Sequence, residues 1–135
     1  MNLETRATPL RSPAPLIYLV DDEPLLLELA GMVLEGEGYQ FAKFRNPAQA
    51  LEALREASPA PSLLITDYAM FEMNGLELIE ASRKLCPDLR VILVSGSVSE
   101  DILTDAPVEV DHFLRKPYRT VELGAVVKNL LAAPV

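Results

Sequence analysis

The chain has 135 residues, of which 50% are hydrophobic and 24% charged, a composition typical of a single globular domain and not of a disordered segment. The formal net charge of −8 argues against a broad basic surface, so we expect no direct binding to nucleic acid. Cys86 is the only cysteine, which excludes an internal disulfide, and no apolar run approaches the roughly 18 residues that span a bilayer, so we expect no membrane contact.

The two ends of the chain differ in character from its middle. Residues 1–15 are rich in proline, contain Arg6 and Arg11, and lack the continuous apolar segment of a signal peptide. We therefore expect a flexible tail at 1–15, one folded domain at 16–132, a short C-terminal end at 133–135, and a cytoplasmic location.

Short apolar runs alternate with amphipathic segments along the predicted domain. The predicted strands cover residues 16–20, 39–44, 62–66, 90–94 and 111–114. The predicted helices cover 24–35, 47–57, 76–85, a weaker segment at 99–104, and 120–132. This alternation indicates an α/β fold, a doubly wound parallel sheet with helices on both faces. Five strands favour the order 2-1-3-4-5, in which strands 1 and 3 are neighbours.

Four of the predicted strands end in polar residues of complementary chemistry. These residues are Asp21 and Asp22, Asp67, Ser95, and Lys116. Strands of a parallel sheet lie about 4.8 Å apart, so the three carboxylates would repel one another unless a cation joined them. Mg²⁺ is suited to carboxylate oxygens, and an aspartate can carry a phosphoryl group as a covalent intermediate. The pattern therefore predicts phosphoryl transfer to Asp67, with the other residues neutralising and orienting the phosphoryl group.

Each of these residues also has a simpler interpretation when it is taken alone. Asp21 and Asp22 precede a proline and could merely cap the first helix. Asp67 could be a turn residue, and Lys116 a solvated strand end. The lone His112 is interpreted as a strand-end residue. The combination favours a site, because four strand ends carry the required residue types at once.

Five ordered motifs resemble the receiver domain of bacterial two-component response regulators. They are Val20-Asp21-Asp22-Glu23-Pro24, Ile65-Thr66-Asp67, Met73-Asn74-Gly75, Val94-Ser95-Gly96 and Phe113-Leu114-Arg115-Lys116-Pro117. The resemblance extends over about residues 15–132. It implies a flavodoxin-like fold and Mg²⁺-dependent transfer of a phosphoryl group from a histidine kinase or a histidine phosphotransfer protein.

The resemblance also implies a role for each matching residue. Asp67 corresponds to the phosphoacceptor, and Asp21 and Asp22 to the acidic pair that binds the metal together with it. The backbone carbonyl of Ala69 would be a further metal ligand. Lys116 corresponds to the lysine that contacts the phosphoryl group.

Two further residues correspond to the conformational switch of the family. Ser95 matches the hydroxyl that is drawn to the phosphoryl group, and Phe113 matches the aromatic residue that turns inward with it. Plain core packing is the alternative for Phe113. Phosphorylation would then shift a two-state equilibrium of the loops after strands 3 and 4 and of the face formed by helix 4, strand 5 and helix 5.

Three positions depart from the pattern of the family. Phe71 stands where proline is common, which leaves that loop less constrained and more apolar. Ala69 places no side chain near an attacking water, so the lifetime of the phosphate stays open. The segment Val108-Glu109-Val110 replaces a usual pair of small residues ahead of strand 5.

Three other functions share some of these features. A phosphatase of the haloacid dehalogenase type needs a second aspartate two residues after its nucleophile, where this chain has Ala69. A nucleotide- or flavin-binding module would need a glycine-rich phosphate loop, and none of the usual patterns occurs. A phosphorylation-independent pseudo-receiver would keep the fold and bind proteins without the chemistry. We expect that the protein is not an enzyme and that it catalyses only its own phosphotransfer and dephosphorylation.

The length of the chain shapes the expected output. A chain of 135 residues leaves no room for an effector domain, so we expect a stand-alone receiver that signals to an unknown downstream protein. The face formed by helix 4, strand 5 and helix 5 could equally form a homodimer.

Overall fold

Five parallel strands form a single sheet in the order β2-β1-β3-β4-β5. The structure is a computed structural model and describes residues 15–132, so residues 1–14 of the predicted tail and the C-terminal end at 133–135 lie outside it. The strands are β1 (Leu16–Val20), β2 (Gln40–Phe44), β3 (Leu63–Asp67), β4 (Arg90–Ser95) and β5 (His112–Arg115). The strand order confirms the predicted doubly wound, flavodoxin-like architecture.

Helices cover both faces of the sheet. They are α1 (Pro24–Gly36), α2 (Pro47–Glu56), α3 (Gly75–Leu85) and α4 (Thr120–Ala132). Proline occupies the first turn of α1 and of α2, where a missing N–H costs nothing. A capping box between Asn74 and Glu77 begins α3. Within residues 15–132, every helix is too short or too polar to cross a membrane.

The segment between β4 and β5 contains a 3-10 helix of four residues, Glu100–Leu103, where the sequence predicts a weak helix at 99–104. None of these four residues is buried, and Ile102 and Leu103 pack only partly against the core. Helices in proteins gain most of their stability from packing an apolar face. With so little burial, a single tight turn forms instead of a longer α-helix.

The core consists of two apolar clusters, one on each face of the sheet. Successive residues of a strand point to opposite faces, so Ile17 and Leu19 of β1 pack with α1 and α4, whereas Tyr18 and Val20 pack with α2 and α3. The central strand β3 is buried along its whole length. This burial explains why β3 reads as a continuous apolar run and not as an alternating one.

The pairing of the strands places their carboxyl ends at one edge. Val20 of β1 lies opposite Thr66 of β3, so the residues that follow these two, Asp21 and Asp67, are neighbours across the sheet. Asp67 in turn pairs with Val94 of β4, one residue before Ser95. The strand order makes β1 and β3 neighbours, and this adjacency brings their acidic residues together at one edge of the sheet.

Candidate functional site

Three carboxylates converge at the carboxyl edge of the sheet. One oxygen from each of Asp21, Asp22 and Asp67 lies within 4.8 Å of the others. Asp67 is only 6% exposed, and the two residues after β1 are half-buried. The structure therefore brings together all three acids that the sequence singled out.

Lys116 places its ammonium group among these acids. Its Nζ lies 3.2 Å from Oδ1 of Asp67 and 3.3 Å from Oδ2 of Asp21. The backbone N–H of Lys116 donates to the carbonyl of Ser95 at 2.9 Å, which anchors the lysine to the end of β4. Glu23 also approaches this ammonium, at 3.8 Å, a contact that the sequence analysis missed. The sequence could have indicated this contact, because Glu23 directly follows Asp21 and Asp22.

The charges of the site are unbalanced, because within residues 15–132 the ammonium of Lys116 is the one cationic group in contact with the acids. Burial raises the pKa of Asp67 to about 6, with Lys116 lowering it and Asp21 raising it further. Burial also raises the pKa of Asp21, against the hydrogen bond from the Glu23 N–H and the charge of Lys116. Burial alone would lower the pKa of Lys116, but the two carboxylates outweigh this effect and raise it. The site is thus a place where additional positive charge is favourable.

The acidic pair does more than shape the start of α1. Glu23, and neither aspartate, occupies the N-cap position, and its side chain makes no cap hydrogen bond. Oδ1 of Asp21 accepts the N–H of Glu23 at 2.9 Å, while its Oδ2 accepts from Lys116 at 3.3 Å. One oxygen of Asp21 therefore fixes the turn, and the other faces the site.

The donor set fits Mg²⁺. The ligand atoms within reach of one another are all carboxylate oxygens, the ligand type that hard divalent cations prefer. Besides burial, the charges of Asp21 and Asp22 raise the pKa of Asp67, and the same negative charges favour a bound cation. Ala69, the predicted donor of a backbone carbonyl, lies exposed in the loop that follows β3.

Of the two predicted switch residues, Ser95 ends β4 and Phe113 lies within β5. Ser95 is 1% exposed, and its Oγ accepts the N–H groups of Ser97 at 3.3 Å and of Val98 at 3.1 Å. Within the described residues this hydroxyl makes no hydrogen bond to the side chains of Asp67 or Lys116. Phe113 is half-buried and packs against the cluster on the α2–α3 face, as its core-packing alternative requires.

Tyr118 is a further residue of the site that the sequence analysis missed. It is half-buried, and burial raises its pKa. Together with Leu26 it lines a small cavity beneath Asp21 and Asp67, and also an apolar groove between α1 and the start of α4. The sequence indicated a place for Tyr118 in the site only through its position directly after Lys116 and Pro117.

The loop from β3 to α3 begins directly after Asp67. Phe71 in this loop is 79% exposed, and Glu72 has a φ of 77°, which is rare outside glycine. The N–H of Gly75 donates to the carbonyl of Tyr68 at 2.8 Å and closes the loop. The departure from the family pattern at Phe71 thus puts a large aromatic ring on the surface of the loop that follows Asp67.

Comparisons with known proteins agree with this geometry. A family model described as the response regulator receiver domain matches residues 17–128. The response regulator receiver protein CpdR of Brucella abortus is 34% identical over 119 residues, and the match covers 87% of this chain and 97% of CpdR.

Longer relatives contain a similar region. The sensor kinase CckA of Brucella abortus is 30% identical over 127 residues, which cover 93% of this chain but 13% of CckA. The DNA-binding response regulator MtrA of Mycolicibacterium smegmatis is 32% identical over 115 residues, or 85% of this chain and 50% of MtrA. The chain therefore spans half or less of these two relatives.

Solved structures show the same fold. A CheY-like response regulator receiver domain protein from Methanospirillum hungatei superposes with a TM-score of 0.80 at 26% identity, covering 89% of this chain and 95% of the other. The family match extends over most of the chain and includes every strand end described above. The chain belongs to the family of response regulator receiver domains of two-component systems.

Proposed function

We propose that this receiver accepts a phosphoryl group on Asp67 from a histidine kinase or a histidine phosphotransfer protein. The reaction depends on Mg²⁺ and takes place in the cytoplasm. The observation that carries the proposal is the contact of one ammonium, that of Lys116, with Asp67 and Asp21 at 3.2 and 3.3 Å. The similarity to CpdR, a response regulator receiver protein matched over 97% of its length, supports a receiver as the unit that carries this reaction.

The Asp67 carboxylate is the nucleophile in this proposal. One of its oxygens attacks phosphorus, the bond from phosphorus to the donor's imidazole nitrogen breaks, and that nitrogen keeps the electron pair. The pKa of Asp67, raised to about 6 by burial, still leaves the carboxylate mostly ionised at neutral pH. Burial also keeps bulk water away from the acyl phosphate that forms.

Positive charge at the site offsets the charge of the incoming phosphoryl group. Asp21, Asp22 and Asp67, with the carbonyl of Ala69, would hold Mg²⁺, which supplies charge that draws phosphoryl oxygens to an otherwise acidic pocket. Lys116 contacts a phosphoryl oxygen with the ammonium that already faces Asp67. Its raised pKa keeps this ammonium protonated throughout the neutral range.

The Ser95 hydroxyl and Phe113 relay the phosphorylated state in this proposal. The Ser95 Oγ accepts two backbone N–H groups, so its own proton is available to a phosphoryl oxygen. A shift of Ser95 would move the loop that begins at Gly96, and with it the half-buried ring of Phe113 on the adjacent strand. The face formed by Glu100–Leu103, β5 and α4 would then bind a downstream protein or a second copy of the chain.

The experiment compares the wild type with Asp67→Asn after incubation with Mg²⁺ and acetyl phosphate. We expect intact mass spectrometry to show one phosphoryl group on the wild type, stable in acid and labile in base, and none on the variant. Asp88→Asn is the matched control, since Asp88 is exposed and lies near Arg90, at the opposite edge of the sheet. Chromatography with a beryllofluoride mimic reports whether activation changes the oligomeric state.

Two results would contradict the proposal. Modification of Asp67→Asn to the same extent as the wild type would place the phosphate elsewhere. A wild type that takes up neither phosphate nor the mimic would leave a protein-binding pseudo-receiver as the function.

A further inference from the structure

Thr66 is a buried hydroxyl that the proposed reaction does not use. It directly precedes Asp67 in β3, and none of its surface is exposed. It pairs laterally with Val20 and Leu93, and its side chain faces α2 and α3, the side of the sheet opposite the carboxylate of Asp67. A hydroxyl among apolar neighbours is costly unless it forms a hydrogen bond.

The hydroxyl of Thr66 finds its partner in the backbone of Asp67. Its Oγ1 lies 3.0 Å from the carbonyl oxygen of Asp67 and 3.8 Å from the Sδ of Met70. The other polar atom of the same peptide group, the N–H of Tyr68, donates to the carbonyl of Val94 at 2.8 Å. The peptide group that follows the phosphoacceptor is therefore held at both of its polar atoms.

Gly75 restricts the same peptide group by direct contact. A Cβ at this position would lie 2.5 Å from the carbonyl oxygen of Asp67 and 2.6 Å from Cδ1 of Leu93. Real Cβ atoms do not approach a backbone oxygen so closely, so any other residue here would displace Asp67 or the start of α3. The bare Cα of Gly75 thus lets the N-terminus of α3 close against the phosphoacceptor.

We propose that Thr66 and Gly75 are positioning residues for Asp67, acting through the carbonyl that both of them contact. Once its backbone is fixed, the aspartate side chain has only two torsions left, so its carboxylate stays directed at Lys116 and the acidic pair. Misplacing a reacting group by about 1 Å can slow a reaction by about a hundredfold. This inference rests on the proposed function of Asp67.

The test compares Thr66→Val, which removes the hydroxyl, with Thr66→Ser, which keeps it. We expect Thr66→Val to lower the rate constant for phosphorylation by acetyl phosphate by about fivefold to tenfold, and Mg²⁺ affinity to fall with it. Thr66→Ser should stay within about twofold of the wild-type rate. It should nevertheless unfold at a lower temperature than Thr66→Val, because it loses a buried methyl group.

This opposition between rate and stability separates positioning from a purely structural role. If Thr66 only stabilised the fold, the serine variant would be the slower of the two, and that order would overturn the inference. Met70→Leu removes the sulfur contact and leaves the bond to Asp67, so it should react like the wild type. A slow Met70→Leu would also overturn the inference, because the effect would then belong to the loop.

A glycine pair provides an independent measurement. Gly75→Ala should slow phosphorylation by about tenfold or more, whereas Gly36→Ala, where an added Cβ meets nothing within 4 Å, should not. A phosphorylated wild type with unchanged rates in Thr66→Val and Gly75→Ala would overturn the inference and leave the proposed function intact. A wild type that accepts no phosphate would overturn both.

Discussion

The ammonium of Lys116 lies 3.2 Å from the carboxylate of Asp67, and this ion pair joins the end of β3 to the residue that follows β5. The lysine is half-buried and also contacts Asp21, so it neutralises charge that water screens poorly.

Removal of this lysine should destabilise the protein. We expect Lys116→Met to lower the free energy of unfolding at pH 7 by about 1–3 kcal/mol, because Asp21 and Asp67 lose the ammonium that contacts both of them. Mg²⁺ should restore part of this loss, since it supplies replacement charge. Urea denaturation with and without Mg²⁺ measures both effects. The exposed Lys84→Met serves as the control, and equal losses in the two variants would contradict the expectation.

Neutralising the phosphoacceptor should have the opposite effect on stability. Burial raises the pKa of Asp67 from 3.8 to about 6, so between these values the folded state binds more protons than the unfolded state. Stability therefore falls as the pH rises through this window and stays lower above it. We expect Asp67→Asn to be about 1–2 kcal/mol more stable than the wild type at pH 7 without Mg²⁺. Denaturation curves at several pH values should show this gain shrinking toward pH 4, and a constant gain would contradict the assignment.

Mg²⁺ binding should depend on pH for the same reason. The metal requires ionised carboxylates, so its affinity should rise between about pH 5 and pH 7, with a midpoint near the pKa of about 6 for Asp67. Calorimetric titration with MgCl₂ measures the affinity at each pH. The pH dependence should weaken in Asp67→Asn, which lacks the titrating group. An affinity that stays level from pH 5 to pH 8 in the wild type would sink this prediction.

Loss of the Ser95 hydroxyl should separate phosphorylation from signalling. In Ser95→Ala the N–H groups of Ser97 and Val98 lose their acceptor, at a cost of about 1 kcal/mol in the free energy of unfolding. We expect this variant to accept a phosphoryl group but to show smaller changes around Phe113 on activation. NMR shifts of the Phe113 ring with beryllofluoride report the response. Full-sized shifts in Ser95→Ala would rule out the hydroxyl as the relay.

Much of the fold was predictable from the sequence, because its strands are short apolar runs that end abruptly. The run before Asp67 and the run before Asp21 are both bounded by charge, so their ends could be predicted to within one residue. Right-handed connections then leave few possible strand orders, and the common order places both acids at one edge.

Features that depend on side-chain packing were harder to predict. Nothing in the sequence indicates that Thr66 turns its hydroxyl to the next carbonyl, or that Tyr118 lies beneath the acids, because both depend on tertiary neighbours. The segment at Glu100–Leu103 has a weak helical pattern, and its small buried surface decides between one turn and several. Glu23 approaches Lys116 because the chain turns between β1 and α1, and a pattern of residues at strand ends does not describe such a turn.

Thr66 and Asp67 are consecutive, yet they belong to opposite layers of the molecule. Asp67 contacts Lys116 on the side of α1 and α4, whereas Thr66 lies among the side chains that face α2 and α3. The hydroxyl of Thr66 donates to the carbonyl of Asp67, so one peptide group connects the two layers. The proposed phosphorylation of Asp67 would therefore act on both faces of the sheet, on α1 and α4 through Lys116 and on α2 and α3 through Thr66.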